Sequence, residues 1–339
     1  MKLLVEALAD PSAIKTTTGE TPLHLAAQAN QARVIEYLLD HCHVDVNARD
    51  MINQETALHC TTSAEIIELL CRHQADPNVL DCNRQTPLHV AQTVDITRAL
   101  LDGRADVSLK DHAGKNVLHL CTQVEQVPLL VAARANVNER CHDGQVPLWY
   151  AIERNDQAMV EMLASQPGID LEAINPFGES LIAVAMMLER FDCIIPLVRH
   201  DVDPNSTDSK GRTALHAIAA DPRYTNTRAV TALVAAHANV DALTPERETP
   251  LYLAAQSGNL HVCRALLQSG ANRSISKVWC SLRGLVVQDS LLTRTTGTYI
   301  GRFSSTRCCS LRGDSSIVTF IRYLLRCTNS LNPLDQALI

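Results

Sequence analysis

TPLHLAAQANQARVIEYLLDHCHVDVNARD, residues 21–50, decides the fold, because its opening phrase returns along the chain. The copies are TPLHLAA at 21, TALHCTT at 56, TPLHVAQ at 86, NVLHLCT at 116, VPLWYAI at 146, SLIAVAM at 180, TALHAIA at 213 and TPLYLAA at 249, spaced by 35, 30, 30, 30, 34, 33 and 36 residues. A second phrase keeps phase with the first: VDVNARD at 44–50, ADPNVLD at 75–81, ADVSLKD at 105–111, ANVNERC at 135–141 and ANVDALT at 238–244. Self-similarity at such a period marks an array of supersecondary units rather than one globular core.

The phrase has a physical reading. The Thr21 hydroxyl can accept an orphan backbone N–H at a helix start, and Pro22 at the first helical position gives up no needed donor. In the last copy Gly258 separates LAAQSG from HVCRALLQSG and Gly270 ends the second segment, so each copy reads as a pair of short helices. Ala26, Ala27, Ala254 and Ala255 let the paired helices approach closely, and the Leu pairs at 38 and 39 and at 266 and 267 fill the seam. One such hairpin cannot bury both its faces, so neighbours must stack.

These phrases resemble the ankyrin repeat, a unit of about 33 residues with a T-P-L-H signature. The resemblance covers residues 21–277 as eight repeats, and LVEALADPSAIK within residues 1–20 reads as the back half of an incomplete one. It implies an all-α solenoid of helix–turn–helix units with short β-turn or hairpin connections, whose turn tips and first helices form a concave surface for another protein. His24, His59, His89, His119 and His216 recur at one position. They read as structural, each bonding the adjacent Thr and the loop between stacked units, rather than as metal or catalytic ligands. Trp149, Ala183 and Tyr252 stand in that place in three copies.

The distance from the first residue of the phrase to the apolar pair of the second helix is 17, 14, 14, 14, 17, 17, 20 and 17. Three residues are nearly one helical turn, so both helices keep their buried faces while the end between them shortens. Repeats two to four are expected to be recessed at that edge, and repeat seven to project through Asp221 to Thr227. Neutral drift of loop length is the alternative. Pro128 and Pro196 fall at one place in the second helices of repeats four and six, close to the first turn, where proline is tolerated.

Composition narrows the function. A net charge of −7 argues against a phosphate-backbone binder, so no nucleic acid is expected. There is no run of apolar residues long enough for a transmembrane helix and no secretory leader pattern, so a cytoplasmic chain is expected, in which the twelve cysteines are free thiols. Asn205-Ser206-Thr207 and Asn272-Arg273-Ser274 are then chance sequons. No C-x-x-C spacing calls for zinc, and the phosphate-loop, dinucleotide, H-E-x-x-H and G-x-S-x-G signatures are absent, so neither metal, cofactor nor catalysis is expected.

Residues 278–339 differ in character, with seven Arg, three Asp, no Lys or Glu, and two copies of CSLRG, at 280 and 309. Their net charge of +4 leaves −11 for residues 1–277. Within them Ile317, Phe320, Ile321, Leu324 and Leu325 follow an i, i+3, i+4, i+7, i+8 pattern, an expected amphipathic helix over 316–327 in an otherwise poorly ordered tail. No Leu lies four residues before Cys280, Cys308, Cys309 or Cys327, so the element by which some ankyrin proteins recruit a ubiquitin ligase is missing.

The expected function is that of a non-catalytic adaptor, a monomer binding one or more proteins; a slice of a longer multi-ankyrin scaffold and a ubiquitin-ligase subunit are the alternatives. Candidate contacts at the turn tips are Met51, Ile52, Asn83, His112, His142, Asp143 and Phe177, and on the first helices Tyr150, Glu153, Met187 and Gln256. Tyr150 and Phe177 stand out because aromatic residues make up only 4% of the chain and aromatic anchors dominate interface energies. The resemblance also implies an asparaginyl hydroxylase acting on turn asparagines: Asn78, Asn138 and Asn205 each follow a Leu (Leu70, Leu130, Leu197) by eight residues.

Overall fold

The computed structural model describes Lys15 and residues 17–272. The first fourteen residues of the expected half repeat, the last residues of the expected array and the tail with its 316–327 segment lie outside them. The chain divides into two compact units, Met1–Val202 and Asp203–Ile339.

Unit one holds α1 Pro22–Gln28, α2 Ala32–His41, α3 Ala57–Cys60, α4 Ala64–Arg72, α5 Val94–Asp102, α6 Val117–Leu120, α7 Gln126–Ala132, α8 Pro147–Glu153, α9 Gln157–Ala164, α10 Leu181–Met187 and α11 Ile194–Arg199. Unit two holds α12 Ala214–Ala220, α13 Arg228–Ala235, α14 Pro250–Ser257 and α15 Leu260–Gln268. Thr21, Thr56, Asn116, Ser180, Thr213 and Thr249 are N-caps, each followed by the first helix of its repeat. Within unit one first helices pack on first helices, as α1 on α3 and α6 on α8, and second on second, as α2 on α4 and α4 on α5; within unit two α12 packs on α14 and α13 on α15.

The core is a ladder of equivalent residues. Leu38, Leu70, Leu100, Leu130, Leu163, Leu197, Leu233 and Leu266 on the second helices are at most 3% exposed. Leu23, Leu58, Leu88, Leu118, Leu148, Ile182, Leu215 and Leu251, two residues past each N-cap, are at most 4% exposed. Each such side chain contributes roughly 1.5–3 kcal/mol through burial that a neighbouring unit completes.

The shortened copies depart from a uniform helical hairpin. The first helices of repeats two and four, α3 and α6, are only four residues each. In repeat three residues 87–90 are turns, so that repeat has no first helix at all. The three missing residues are thus taken from the last turn of the first helix, not from the connecting loop. The added residues of repeat seven lie in Asp221–Thr227, which links α12 to α13 without helix. Pro128 and Pro196 occupy the third positions of α7 and α11. The connections between repeats are turns, with two isolated antiparallel bridges among the described residues, Ile174 to Ser180 and Thr207 to Thr213.

Candidate protein-binding surface

The turns between successive repeats form fingers, and most are closed by one side-chain oxygen. Asp50 accepts the amides of Asn53 and Glu55, both at 3.0 Å. Asp81 accepts those of Asn83 and Gln85 at 2.8 and 2.6 Å, and Asp111 those of Ala113 and Lys115 at 2.9 and 2.8 Å. Asn175 takes Phe177 and Glu179 at 2.9 and 2.8 Å, and Asp208 takes Lys210 and Arg212 at 3.0 and 2.8 Å. Side-chain oxygens satisfy in this way backbone donors that no helix or sheet would take. Asp50, Asp81 and Asp111 each end a second phrase, and that recurrence is the sequence signal for the role.

Within unit one the tips are joined in a row. The amides of Met51, Cys82, His112 and His142 donate to the carbonyls of Thr18, Asn53, Asn83 and Ala113 at 3.0, 2.7, 2.8 and 2.9 Å. Close approach requires glycine here. Gly114 has φ +76°, and a Cβ there would lie 2.6 Å from the His142 ring.

The recurring histidines fasten each repeat to the next finger. The backbone N–H of Thr21, Thr56, Thr86 and Thr213 donates to Nδ1 of His24, His59, His89 and His216 at 3.2, 3.1, 3.2 and 3.2 Å. Nδ1 is therefore the acceptor, so the neutral ring carries its proton on Nε2. That nitrogen donates to the carbonyls of Glu55, Gln85 and Lys115 at 3.0, 3.1 and 3.3 Å for His24, His59 and His89, and to Ala242 and Glu248, both at 3.0 Å, for His216. Burial, opposed by these carbonyl bonds, pushes His59, His89 and His216 below the ordinary histidine range. These bonds join each of the four histidines to its own N-cap residue and to the following finger.

The turn asparagines also bridge repeats. Asn78 Oδ1 accepts the Asp106 amide at 2.7 Å, Asn138 that of Asp170 at 2.8 Å and Asn205 that of Asn239 at 2.7 Å. Asn47 does the same with Asp76 at 2.8 Å.

Among the candidate contacts, Met51, Ile52, Phe177 and Met187 are 64%, 59%, 87% and 55% exposed. Asn83, His112, His142, Asp143, Glu153 and Gln256 are exposed as well. Tyr150 is half-buried: its ring meets the His119 ring edge at 5.5 Å, Lys115 Nζ lies 4.4 Å from its centroid, and its hydroxyl is 3.6 Å from Cys141 Sγ. Trp149 is buried and packs as core. The structure adds Leu25 and Val90, 44% and 37% exposed, at the Tyr150 position of repeats one and three, and Ile174, 52% exposed, beside Phe177. Superposing the copies places Leu25, Cys60, Val90, Leu120 and Tyr150 at one offset, which is the signal that would have found them.

Among the described residues no group of three or more His, Cys, Asp or Glu side chains gathers to hold a metal ion. No helix among them is long and apolar enough to cross a membrane.

Sequence profiles of ankyrin repeats match residues 42–111, 91–175 and 181–276, and a single ankyrin repeat matches 18–51. Human Rabankyrin-5 is 28% identical over 131 residues, 38% of this chain and 11% of that protein. An intracellular phospholipase A2 of Caenorhabditis elegans is 30% identical over 111 residues, 31% of this chain and 10% of that protein. The chain thus matches about a tenth of the length of these relatives. The crystal structure of the ankyrin repeat domain of Bcl-3, described as a member of the IkappaB protein family, superposes with a TM-score of 0.52 at 26% identity, covering 63% of this chain and 98% of that one.

Proposed function

This chain belongs to the ankyrin-repeat family, and from that premise we propose that it is a non-catalytic adaptor, a cytoplasmic monomer that binds a partner protein through the fingers and first helices of unit one. Ankyrin repeats serve in general as protein-interaction modules, and this face carries the exposed apolar side chains such a role needs. The observation that supports it most is Phe177, 87% exposed at a finger tip beside exposed Ile174. Exposed apolar side chains grouped on one face are what an interaction surface presents.

Affinity capture with the full chain, analysed by mass spectrometry, tests the reading. Proteins held by the unmodified chain are expected to be lost from Phe177→Ala and Tyr150→Ala, each weakening binding by about 1–3 kcal/mol, while circular dichroism stays unchanged. Equal capture by a folded double variant would sink the assignment of these residues.

A second reading concerns modification. Asn205 is exposed and Asn78 and Asn138 are half-exposed, which supports access by an asparaginyl hydroxylase. Peptide mass analysis of cell-expressed protein is expected to show one added oxygen on the peptides holding them. Its absence from all three removes the reading.

A further inference from the structure

Two departures from the array's own rules meet at one finger. Cys141 occupies the place held by Asp50, Asp81, Asp111, Asn175 and Asp208, and its thiol takes neither the Asp143 nor the Gln145 amide, the two that an oxygen would bind. On the preceding repeat Asn116 replaces the N-cap threonine. Threonine Oγ1 lies 2.8 Å from Nδ1 of His24, His89 and His216 and can donate its hydroxyl proton to it. Asn116 Oδ1 lies 2.7 Å from His119 Nδ1 and cannot, because it is an acceptor already taking the amides of Leu118 and His119, while its Nδ2 is committed to the Asn136 carbonyl at 2.8 Å. His119 Nε2 still reaches the Gln145 carbonyl at 3.2 Å. The staple therefore spans to a finger without an internal oxygen clasp, from the one of the five histidines whose neighbour offers no hydroxyl.

Long side chains at the surface bond carbonyls around this finger instead, and as donors they do not take over the Asp143 and Gln145 amides. Arg140 Nη1 donates to the Gly144 carbonyl at 2.9 Å and to the Ile174 carbonyl of the next finger at 2.8 Å. Arg154 at the end of α8 donates to the carbonyls of His119 and Cys121 at 3.4 and 2.9 Å. Arginines of this kind keep many rotamers in water, so they hold a turn less firmly than a carboxylate built into it. Gly144, at φ +72°, abuts the Pro176 ring, and the Tyr150 hydroxyl reaches Cys141.

We propose that the finger at residues 141–145 is a conformational joint built into unit one, opening ahead of its neighbours and carrying the Tyr150 contact with it. The use of the joint in docking rests on the surface proposed above; its existence does not.

Shared backbone bonds make the test like for like. Cys141 N to Gln145 O, at 3.0 Å, has its equivalents in Asp81 N to Gln85 O and Asp111 N to Lys115 O, both at 2.9 Å. Hydrogen exchange on the full chain is expected to show the Cys141 and His142 amides exchanging about ten-fold faster than those of Asp81, Cys82, Asp111 and His112, once corrected for intrinsic rates. Cys141→Asp and, as a second variant, Cys141→Asn should return them to the neighbours' rates by restoring the clasp. Equal protection across the three fingers overturns the proposal, and so does fast exchange that neither folded variant slows. If the exchange contrast stands while the unmodified chain captures no protein, the docking surface fails and the joint survives.

Discussion

At the scale of single residues, the histidines show how one position can fasten an array. His59, His89 and His216 each take a backbone N–H on Nδ1 and give a proton to the next finger from Nε2. Burial disfavours the charged ring, and against the opposing carbonyl bonds it holds their folded values below the ordinary one. Below about pH 6.5 the unfolded chain therefore binds protons that the folded chain refuses. Their contribution to stability is complete above that pH and falls as the pH drops toward the depressed values, by up to about 1.4 kcal/mol per unit for each histidine. Urea melts between pH 7.5 and 5 should show the midpoint falling, and a flat profile would count against neutral staples. Gly114 gives a second check: Gly114→Ala combines a left-handed φ with a clash against the His142 ring and should cost about 1–3 kcal/mol by the same melts. The shared placement of the histidines was legible in the sequence, as five copies at one offset. The joint at Cys141 was not, since it depends on which oxygens close the other fingers.

At the scale of elements, shortening the first helices leaves backbone groups that other side chains must satisfy. Gln126 does this for repeat three, which has no first helix: its buried Nε2 donates to the carbonyls of Ala91 and Thr93 and to Thr97 Oγ1 at 3.0, 3.1 and 2.9 Å. Cys121 Sγ closes the network on Gln126 Oε1 at 3.1 Å. Gln126→Ala is expected to destabilise the fold by about 1–3 kcal/mol, because it strands buried acceptors rather than merely removing a contact. A Gln126→Ala melt that matches the parent would show that water replaces the side chain. In unit two Asn259 plays the corresponding part, donating to the carbonyls of Asp221 and Tyr224, both at 2.8 Å, where the connection is long. The spacing of copies foretold where length would change. It could not say that a helix would vanish, since the loss of a turn and the loss of a loop look alike in spacing.

At the scale of the whole molecule, stability is a property of neighbours. Ile96 and Leu100 on α5 are at most 4% exposed, and helices α4 and α7 cover that element from either side. A peptide of residues 86–115 alone is expected to show the circular dichroism of an unfolded chain, while the full chain is helical. A helical spectrum from the peptide would mean that local propensity, not stacking, builds the unit. The sequence by itself determined the fold class and the phase of the recurring phrases, because burial periodicity and capping chemistry are local and recur at every copy. Tertiary structure alone decided how far each candidate contact stands in water. Tyr150 and Phe177 look equivalent as rare aromatics, yet one leans on His119, Lys115 and Cys141 while the other is 87% exposed. That difference arises largely from His119 and Lys115, on the preceding repeat, brought to Tyr150 by stacking, a separation over which no local pattern carries information.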